Sequence, residues 1–460
     1  MTTHLDQQNA DGDTGAATGM SPVTDGILDA LNQATDGHAR RGTEADAVLG
    51  AVPGAHVVPA DTAQVSAVMT LAAERGLALV PCGTRTKLAW GNPPQRVDIL
   101  LDLSRLNDLV DHAAGDLVAV AGAGMTLADL QERLAERGQR LAVDPARGGT
   151  LGGLIASGDA GPLRLLGGAA RDLVLGCTFV RADGVVAKAG GRVVKNVAGY
   201  DLSRVFASSY GTLVVLTEVT LRLHPLPPCE RWVEVTTSDR AAALDLAAEL
   251  VHTQLAPSGV ELDARLGGEQ SYRLALRLEG TEPGVLARTE RAVATLERAG
   301  SGATGSNVAV NDSAPDWWGR EPEGDLLLKI TYELASAPRV LAAIEAALPT
   351  GAHATWRAST SIGVSELAVS GLAETAPANG ASAGGNNDTG HARIARLVTD
   401  VRSAAASFGG SVVVRDAPLD ARPALDAWGD VGPALPLMRA LKDRFDPEHI
   451  LSPGRFVGGI

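Results

Sequence analysis

The sequence is poor in the residues that build disulfide scaffolds and metal centres. Its 460 residues include only three cysteines, Cys82, Cys177 and Cys229. An odd, widely spaced set predicts neither a disulfide framework nor a metal knuckle. The nine histidines come no closer in sequence than His38 and His56, so no HxxxH or HxH pair can bind a metal from one element. We therefore expect no metal site, and a reducing cytoplasm as the compartment.

Long apolar runs and an excess of basic residues are also missing. No apolar run reaches the roughly 18 to 20 residues that a membrane helix needs. Residues 1–25 have neither the basic nor the apolar region of a secretory signal, and we expect them to be disordered. Acidic residues outnumber basic ones by 54 to 40, a net charge of −14, which repels nucleic-acid phosphates and anionic lipids. We expect no nucleic-acid partner, and contact with the inner membrane only through partner proteins.

Several catalytic motifs do not occur. The sequence contains no GxxxxGK[ST] phosphate loop, and no GxGxxG opens a helix as a Rossmann dinucleotide site requires. It also lacks the GxSxG nucleophile turn and the HExxH zinc motif. Kinase and hydrolase functions therefore have no support.

Apolar periodicity divides the chain into two halves. Before the proline cluster at 224–228, short strands alternate with amphipathic helices, and one helix is predicted over 61–76 with Asp61 or Thr62 as N-cap and Gly76 as the stop. Beyond the cluster, the order of strands and helices favours an antiparallel sheet with helices on one side. The predicted segments are a disordered tail and lead-in, an α/β domain, an α+β domain, and a C-terminal helix and tail, at 1–50, 51–228, 229–436 and 437–460.

Four local predictions are specific enough to be checked. Thr126 and Asp129 form a capping-box-like pair at the start of a helix, and Asp183-Gly184 is typical of a type I′ hairpin turn. A strand is expected over 359–369. Two segments without apolar periodicity are expected to be solvated loops, at 300–312 and 373–390.

The densest chemical signal is a glycine-rich string. Eight glycines fall within residues 148–168, where 53 in 460 would predict two or three. Without side chains, backbone N–H groups can approach a ligand closely, and successive free amides bind anions such as a pyrophosphate. A glycine-rich surface loop is the alternative, although Leu151, Leu154 and Ile155 would fit poorly in solvent.

An earlier loop over residues 81–88 follows a predicted buried strand. It offers small residues, hydroxyl groups and two cations, Arg85 and Lys87. Lys87 and Lys195 are two of only five lysines, and both lie in glycine-rich surroundings. Ordinary solvated charges remain an equally good interpretation of both.

Five segments, taken in order, resemble the FAD domain of vanillyl-alcohol-oxidase-type flavoproteins, the PCMH-type fold. Within them the string KNVAGYDLS resembles the FAD-binding E subunit of bacterial glycolate oxidase. The resemblance covers about residues 51–228, together with an FDPxxIxxPGR-like C-terminus. The matching segments are 81–88, 148–161, 171–176, 191–203 and 210–218.

The resemblance implies an α+β fold in which FAD lies between two α/β subdomains, followed by an α+β cap domain with an antiparallel sheet. It also implies that the C-terminal tail returns to the FAD domain. The first loop has no histidine and the second no cysteine, so the residues that attach flavin covalently in related proteins are missing and we expect non-covalent FAD. The expected cofactor-binding residues are Pro81, Gly83, Thr84, Arg85, Thr86, Lys87, Asp144, Gly149, Thr150, Gly152, Gly153, Ala156, Ser157, Gly158, Gly211 and Val215.

The chain departs from the family pattern at Val214, Ser452 and Asp159, where Gly, Asn and a small or apolar residue are usual. The His-rich motif of related D-type subunits is absent. The resemblance therefore implies an FAD-binding subunit that oxidises glycolate, a small 2-hydroxyacid, to glyoxylate together with a D-type flavoprotein subunit and an iron-sulfur subunit. The alternatives are a self-sufficient FAD-dependent 2-hydroxyacid dehydrogenase, and a scaffold without productive flavin.

No catalytic residue is identified by the sequence alone. Lys195 and Tyr200 are weak candidates for proton transfer or flavin positioning, and a buried structural role is the favoured interpretation of Tyr200. Arginines of the predicted cap strands could bind a carboxylate in a bidentate manner, but we expect a surface position for each of them. These arginines are Arg265, Arg357 and Arg415.

Overall fold

The structure, a computed structural model, describes residues 22–192, 199–300, 307–372 and 390–460. Its helices are α1 Asp25–Ala34, α2 Thr62–Arg75, α3 Leu127–Ala135, α4 Leu151–Ser157, α5 Arg164–Gly167, α6 Ala170–Leu173, α7 Leu202–Phe206, α8 Arg240–Val251, α9 Glu282–Gly300, α10 Ala337–Ala347, α11 Gly390–Ala406 and α12 Leu435–Phe445. Its strands are β1 Ala39–Arg41, β2 Ala55–Val57, β3 Leu79–Cys82, β4 Ile99–Asp102, β5 Leu109–Ala113, β6 Val118–Gly122, β7 Gln139–Arg140, β8 Val174–Val180, β9 Val186–Gly190, β10 Val215–Arg222, β11 His224–Pro225, β12 Cys229–Thr237, β13 Gly259–Leu266, β14 Ser271–Gly280, β15 Asn307–Asn311, β16 Leu326–Thr331, β17 His353–Ser359, β18 Val364–Ser370 and β19 Ser411–Asp416.

The first sheet has four strands in the order β1-β2-β4-β3, and β4 is parallel to both of its neighbours. Helix α2 connects β2 to β3 and buries one face against this sheet. Asp61 accepts a hydrogen bond from Gln64 N at 2.8 Å, and Gly76 ends the helix at φ 62°. The helix predicted over 61–76 is therefore confirmed, because both its cap and its left-handed stop were readable in the sequence.

The second sheet has five antiparallel strands in the order β5-β6-β10-β8-β9. Thr126 caps α3 by accepting a hydrogen bond from Asp129 N at 3.1 Å, as expected. The glycine-rich string folds into the short helix α4, which packs against β10. Its three apolar residues are buried in the core of this sheet, which excludes a surface loop; they are Leu151, Leu154 and Ile155.

The turn at Asp183-Gly184 is not of type I′, so that prediction is wrong. Five residues separate Val180 from Val186, and only Gly184 has positive φ. Type I′ needs positive φ at both central residues. Ser66 of α2 donates a hydrogen bond to Gly184 O at 2.6 Å, so contact with the neighbouring helix accompanies the wider turn.

The third sheet has eight antiparallel strands in the order β15-β12-β14-β13-β17-β18-β16-β19. Alternation along the strands gives it two different faces. One face is apolar and packs against residues of α8, α9, α10 and α11. The other carries a row of charged residues in register across five strands: Arg273, Asp263, Arg357, Glu366 and Lys329. The expected α+β fold with an antiparallel C-terminal sheet is confirmed.

Two predictions in this region need correction. The single strand predicted over 359–369 consists of the last residue of β17 and all but the last residue of β18. A turn in which Gly363 has φ 67° separates the two strands. The loop predicted over 300–312 contains β15, whose backbone pairs with β12. An edge strand needs little apolar periodicity when backbone pairing holds it, which explains the error.

Other predictions fall partly or wholly outside the described ranges. The predicted disordered tail over residues 1–25 includes residues 1–21, which are not described, whereas Asp25 begins α1 with Thr24 as its cap. Of the predicted loop over 373–390, residues 373–389 are not described and Gly390 begins α11.

The proline cluster and the C-terminal tail both contact the first half of the chain. His224 and Pro225 pair with β7, so the cluster contains a short strand. The tail after α12 pairs with β3, since Leu79 N donates to Ile450 O at 2.7 Å and Ser452 N to Leu79 O at 2.8 Å. No helix in the described ranges combines the length and hydropathy needed to cross a bilayer.

Candidate functional site

A cavity lies where the loop after β3 faces α4 and the start of β10. It is lined by thirteen of the predicted cofactor-binding residues: Pro81, Gly83, Thr84, Arg85, Thr86, Lys87, Thr150, Gly152, Gly153, Ala156, Ser157, Gly211 and Val215. The two loops singled out in the sequence therefore lie on one cavity. Three predicted residues, Asp144, Gly149 and Gly158, do not line it.

The loop over 83–87 supplies hydrogen-bond donors. Within the described part of the chain, none of its five backbone N–H groups donates a hydrogen bond to a protein acceptor. Thr84 and Thr86 add two hydroxyl groups at the same cavity wall. Consecutive unbonded amides form a concave site for an anion, so this loop fits a phosphate or pyrophosphate group.

The backbone of helix α4 lies close to the cavity, but the N–H groups of its first turn already donate hydrogen bonds within the protein. Leu151 N donates to Met125 O, Gly152 N to Ala123 O at 2.8 Å, and Gly153 N to Thr150 Oγ1 at 3.3 Å. The expectation that this string supplies free amides is therefore wrong for these positions. A Cβ on Gly83 would lie 2.4 Å from Thr150 Oγ1, so glycine is required for the loop to approach α4.

Lys87 joins the two loops electrostatically. Its Nζ donates to Gly148 O and lies 3.4 Å from Asp159 Oδ2, with little exposure of either side chain. Burial lowers the pKa of Lys87, while the nearby Asp159 opposes that shift. Asp159 also faces Arg415 at 3.8 Å. A carboxylate at this unusual position is thus accommodated by two cations.

The opposite wall of the cavity is apolar. Val214, Val215 and Leu216 at the start of β10 line it together with Leu103. An apolar wall beside a cluster of hydrogen-bond donors suits a ligand that has both a flat ring and a phosphate group. Val214 lines the cavity directly, so the departure from the family glycine falls at the wall itself.

The C-terminal tail completes the cavity, a contribution that the sequence showed only as the FDPxxIxxPGR-like string. Arg455 lines the cavity and its Nη2 donates to Leu88 O and Trp90 O, each at 2.6 Å. Sequence reasoning also missed Tyr210, a cavity residue with φ 55°. Its ring contacts Trp428, so its role depends on tertiary packing.

The other candidates are placed away from the cavity. Asp144 accepts a hydrogen bond from Leu163 N at 2.9 Å, and burial raises its pKa to about 7. Lys195 lies outside the described residues. Tyr200 is 92% exposed, so the expectation of a buried tyrosine is wrong.

The arginines predicted at the surface differ from one another. Arg265 is exposed, as expected. Arg357 donates two hydrogen bonds to Asp263, at 2.9 and 2.6 Å, and its side chain is mostly buried. Arg415 is only 2% exposed. The surface expectation is wrong for these last two, because each lies on the charged face of the eight-stranded sheet, which the first half of the chain covers.

Residues 53–190 match a family profile described as an FAD binding domain. The chain carries an FAD-binding domain. Its cavity fits that cofactor, since the 83–87 loop can hold the pyrophosphate and the β10 wall can face the ring. Three curated relatives align over 37–46% of this chain and 38–60% of their own lengths.

The chain is 29% identical over 212 residues to glycolate oxidase subunit GlcD of Bacillus subtilis, with 46% of this chain and 45% of that protein covered. It is 34% identical over 216 residues to glycolate oxidase subunit GlcE of Escherichia coli, covering 44% and 60%. It is 35% identical over 170 residues to D-lactate dehydrogenase of Archaeoglobus fulgidus, covering 37% and 38%. The chain thus spans about half the length of such relatives.

Two solved structures share the fold beyond the FAD-binding domain. A structure of alkyldihydroxyacetonephosphate synthase has a TM-score of 0.64 at 16% identity, over 88% of this chain and 76% of that one. Physcomitrella patens BBE-like 1 has a TM-score of 0.61 at 18% identity, over 92% and 97%. At these identities the likeness shows the fold alone.

Proposed function

We propose that the chain is the FAD-binding subunit of a 2-hydroxyacid oxidase that converts glycolate to glyoxylate. Its partners are a D-type flavoprotein subunit and an iron-sulfur subunit, and the complex works in the cytoplasm, peripheral to the inner membrane through those partners. The observation that carries the proposal is the cavity of the FAD-binding domain, with its five unbonded amides at 83–87. The names of the aligned relatives support the hydroxyacid chemistry.

The residues of the cavity divide the work of holding the cofactor. The amides of 83–87 and the hydroxyl groups of Thr84 and Thr86 hold the pyrophosphate, and the apolar wall at Val214 and Val215 excludes water from the ring. When bound, FAD supplies the acceptor for the two electrons removed from the hydroxyacid. The protein supplies position and electrostatics.

FAD is held without a covalent bond in this proposal. Among the described residues that line the cavity there is one nucleophilic thiol, Cys82, and no histidine. Burial raises the pKa of the Cys82 thiol to about 12. Only a thiolate attacks readily, so Cys82 is a poor attachment point at neutral pH.

The domain bounds form part of the proposal. Residues 51–228 contain the second sheet and all of the first sheet except its edge strand β1, and residues 229–436 contain the eight-stranded sheet, which serves as the cap. Residues 437–460 return to the FAD-binding domain, where Lys442 Nζ donates to Thr212 O at 2.9 Å. Residues 1–50 lead into the first sheet.

A self-sufficient 2-hydroxyacid dehydrogenase is a second candidate. One observation favours it, a second and strongly charged cavity next to the first, between the FAD-binding domain and the cap sheet. A chain with its own substrate cavity has less need of a partner for the chemistry. The two candidates differ in whether the isolated chain reduces its flavin.

The test is a visible spectrum of the purified chain, recorded before and after acid precipitation. We expect a flavin spectrum whose colour enters the supernatant on acid treatment. Anaerobic glycolate is then added to the chain alone and to the chain with its partner subunits. Bleaching only with partners supports the subunit, whereas bleaching of the chain alone supports the self-sufficient enzyme.

Two outcomes count against the proposal. A chain that stays colourless after incubation with FAD would leave a scaffold as the function. Flavin that remains with the acid pellet would overturn non-covalent binding while leaving the redox function intact.

A further inference from the structure

The second cavity lies between the charged face of the eight-stranded sheet and the segment of the FAD-binding domain around residues 159–164. It adjoins the FAD cavity, since Lys87 lines one, Asp159 lines the other, and their Nζ and Oδ2 atoms are 3.4 Å apart. Its charged lining residues are Asp159, Arg164, Glu261, Arg320, Lys329, Arg357, Glu366 and Arg415.

Most of the acidic groups in this cavity already have partners. Asp159 is shared between Lys87 and Arg415. Glu261 accepts a hydrogen bond from Ser359 Oγ, and burial raises its pKa to about 8, so it is largely uncharged at neutral pH. Burial also raises the pKa of Glu366, the third carboxyl group of the cavity, to about 7. At neutral pH the three carboxyl groups therefore carry less negative charge than the surrounding cations carry positive charge.

Arg415 has guanidinium donors without hydrogen-bond partners among the described residues. It is 2% exposed, and its Nε and Nη1 atoms are buried without a hydrogen-bond partner in the described ranges. The nearest carboxylate oxygen, Asp159 Oδ1, is 3.8 Å away from Nη1, beyond hydrogen-bond distance. One face of the guanidinium lies 3.6 Å from the Trp90 ring centroid. A buried cation with unbonded donors is costly unless an anion meets it.

Lys329 is a second cation without a committed partner. Within the described residues its ammonium makes neither a hydrogen bond nor an ion pair closer than 4 Å. Its cross-strand neighbours are Glu366 on β18 and Val413 on β19. Arg357, by contrast, is held by Asp263 through two hydrogen bonds. Arg415 is buried and Lys329 is half-buried, and an incoming anion would meet both of them together with the half-buried Arg164.

We propose that this second cavity binds a small carboxylate anion, with Arg415 as its anchor and Lys329 as a second cation. A guanidinium presents paired N–H donors whose geometry matches a carboxylate. The role of the site rests on the proposed function: the second cavity holds the carboxylate group of a hydroxyacid beside the FAD cavity. Binding itself needs no turnover.

The test is calorimetric titration of the full-length oxidised chain with glycolate, with oxalate, and with the uncharged analogue glycolamide. Oxalate carries no C–H bond to oxidise, so its binding is independent of redox chemistry. We expect both carboxylates to bind and glycolamide to bind at least about tenfold more weakly, as the loss of a charge-assisted pair predicts. Sulfate is included as a non-carboxylate anion.

Two variants locate the site and a third is the control. Arg415→Met keeps an apolar stem against Trp90 and removes the donors, and we expect carboxylate binding to weaken about tenfold or more. Lys329→Met should weaken it by a smaller factor. Arg265→Met removes an exposed arginine from β13 of the same sheet, outside this cavity, and should leave binding unchanged.

The proposal fails if folded Arg415→Met binds oxalate within about twofold of the parent chain, well short of the loss expected for a charged contact. It also fails if glycolamide or sulfate binds as tightly as glycolate. Should Arg415→Met not fold, as judged by circular dichroism, Lys329→Met and the ligand series decide. Oxalate binding in a chain that never oxidises glycolate would support the carboxylate site and contradict the proposed function. Glycolate turnover that is unaffected by Arg415→Met would support the proposed function and contradict the site.

Discussion

Lys87 Nζ lies 3.4 Å from Asp159 Oδ2, and this ion pair stands between the FAD cavity and the charged cavity beneath the cap sheet. Lys87 comes from the loop after β3, and Asp159 follows the helix formed by the glycine-rich string. A single contact therefore links a group that lines the first cavity to the group that faces Arg415. Asp159, one of three departures from the family pattern that the sequence resembles, makes this link.

Gly83→Ala should weaken FAD binding by about tenfold, because it displaces the hydrogen-bond donors that would bind the charged pyrophosphate. The new Cβ would lie 2.4 Å from Thr150 Oγ1, so the 83–87 loop must move away from α4. Flavin content is measured by the ratio of visible to ultraviolet absorbance across an FAD titration. Gly115→Ala, where no atom lies within 4 Å of the added Cβ, is the matched control and should bind FAD normally.

Lys442→Met should destabilise the chain by about 3 to 5 kcal/mol, because it leaves the buried carboxylate of Asp446 without its cation. Lys442 Nζ lies 2.6 Å from Asp446 Oδ2 and also donates to Leu451 O at 2.8 Å. The free energy of unfolding in urea is the measurement.

An exposed pair between the same helix and the segment that follows it provides the control. Asp443 lies 3.0 Å from His449 Nε2, with both side chains more than half exposed. Asp443→Asn should change stability by at most about 1 kcal/mol, as surface pairs do. An equal loss in both variants would contradict the importance of the buried pair.

Glu261→Gln should reduce the loss of stability at alkaline pH. Burial raises the pKa of Glu261 to about 8, well above the value of about 4.3 expected when unfolded. Its contribution is therefore fully present below pH 4 and is lost as pH rises through 8. The free energy of unfolding is compared at pH 6 and pH 9, where the variant should show the smaller drop; exposed Glu249→Gln should behave as the parent chain.

Carboxylate binding at the second cavity should weaken as pH rises above 7. Burial lowers the pKa of Lys329 to about 7 and raises that of Glu366 to about 7, so the cavity loses a positive charge and gains a negative one over the same range. The charged groups that act on this pair are Arg415, Arg164, Asp159 and Glu321. Oxalate affinity measured between pH 6 and 8.5 should fall in the parent chain. The fall should be smaller in Lys329→Met.

Local signals were enough for parts of the fold. Asp61 and Gly76 mark the ends of α2, and Thr126 marks the start of α3, because caps and stops act on neighbouring residues. The same reasoning failed at Asp183, where contact with α2 accompanies a wider turn. It failed again at β15, whose pairing with β12 involves residues about 75 positions apart.

The sequence, through the resemblance it carries, implied that the loop at 81–88 and the glycine-rich string lie at one site, and both segments line one cavity. Missing side chains and small residues define where a backbone can approach a phosphate. The sequence indicated Arg415 only as one of three arginines able to bind a carboxylate, with a surface position expected, and it carried no signal at Lys329. Only the tertiary structure decided that the alternation of the eight-stranded sheet turns these cations toward the FAD-binding domain. Burial explains their role in binding, because a charge that has lost contact with both solvent and protein partners interacts more strongly with an incoming anion.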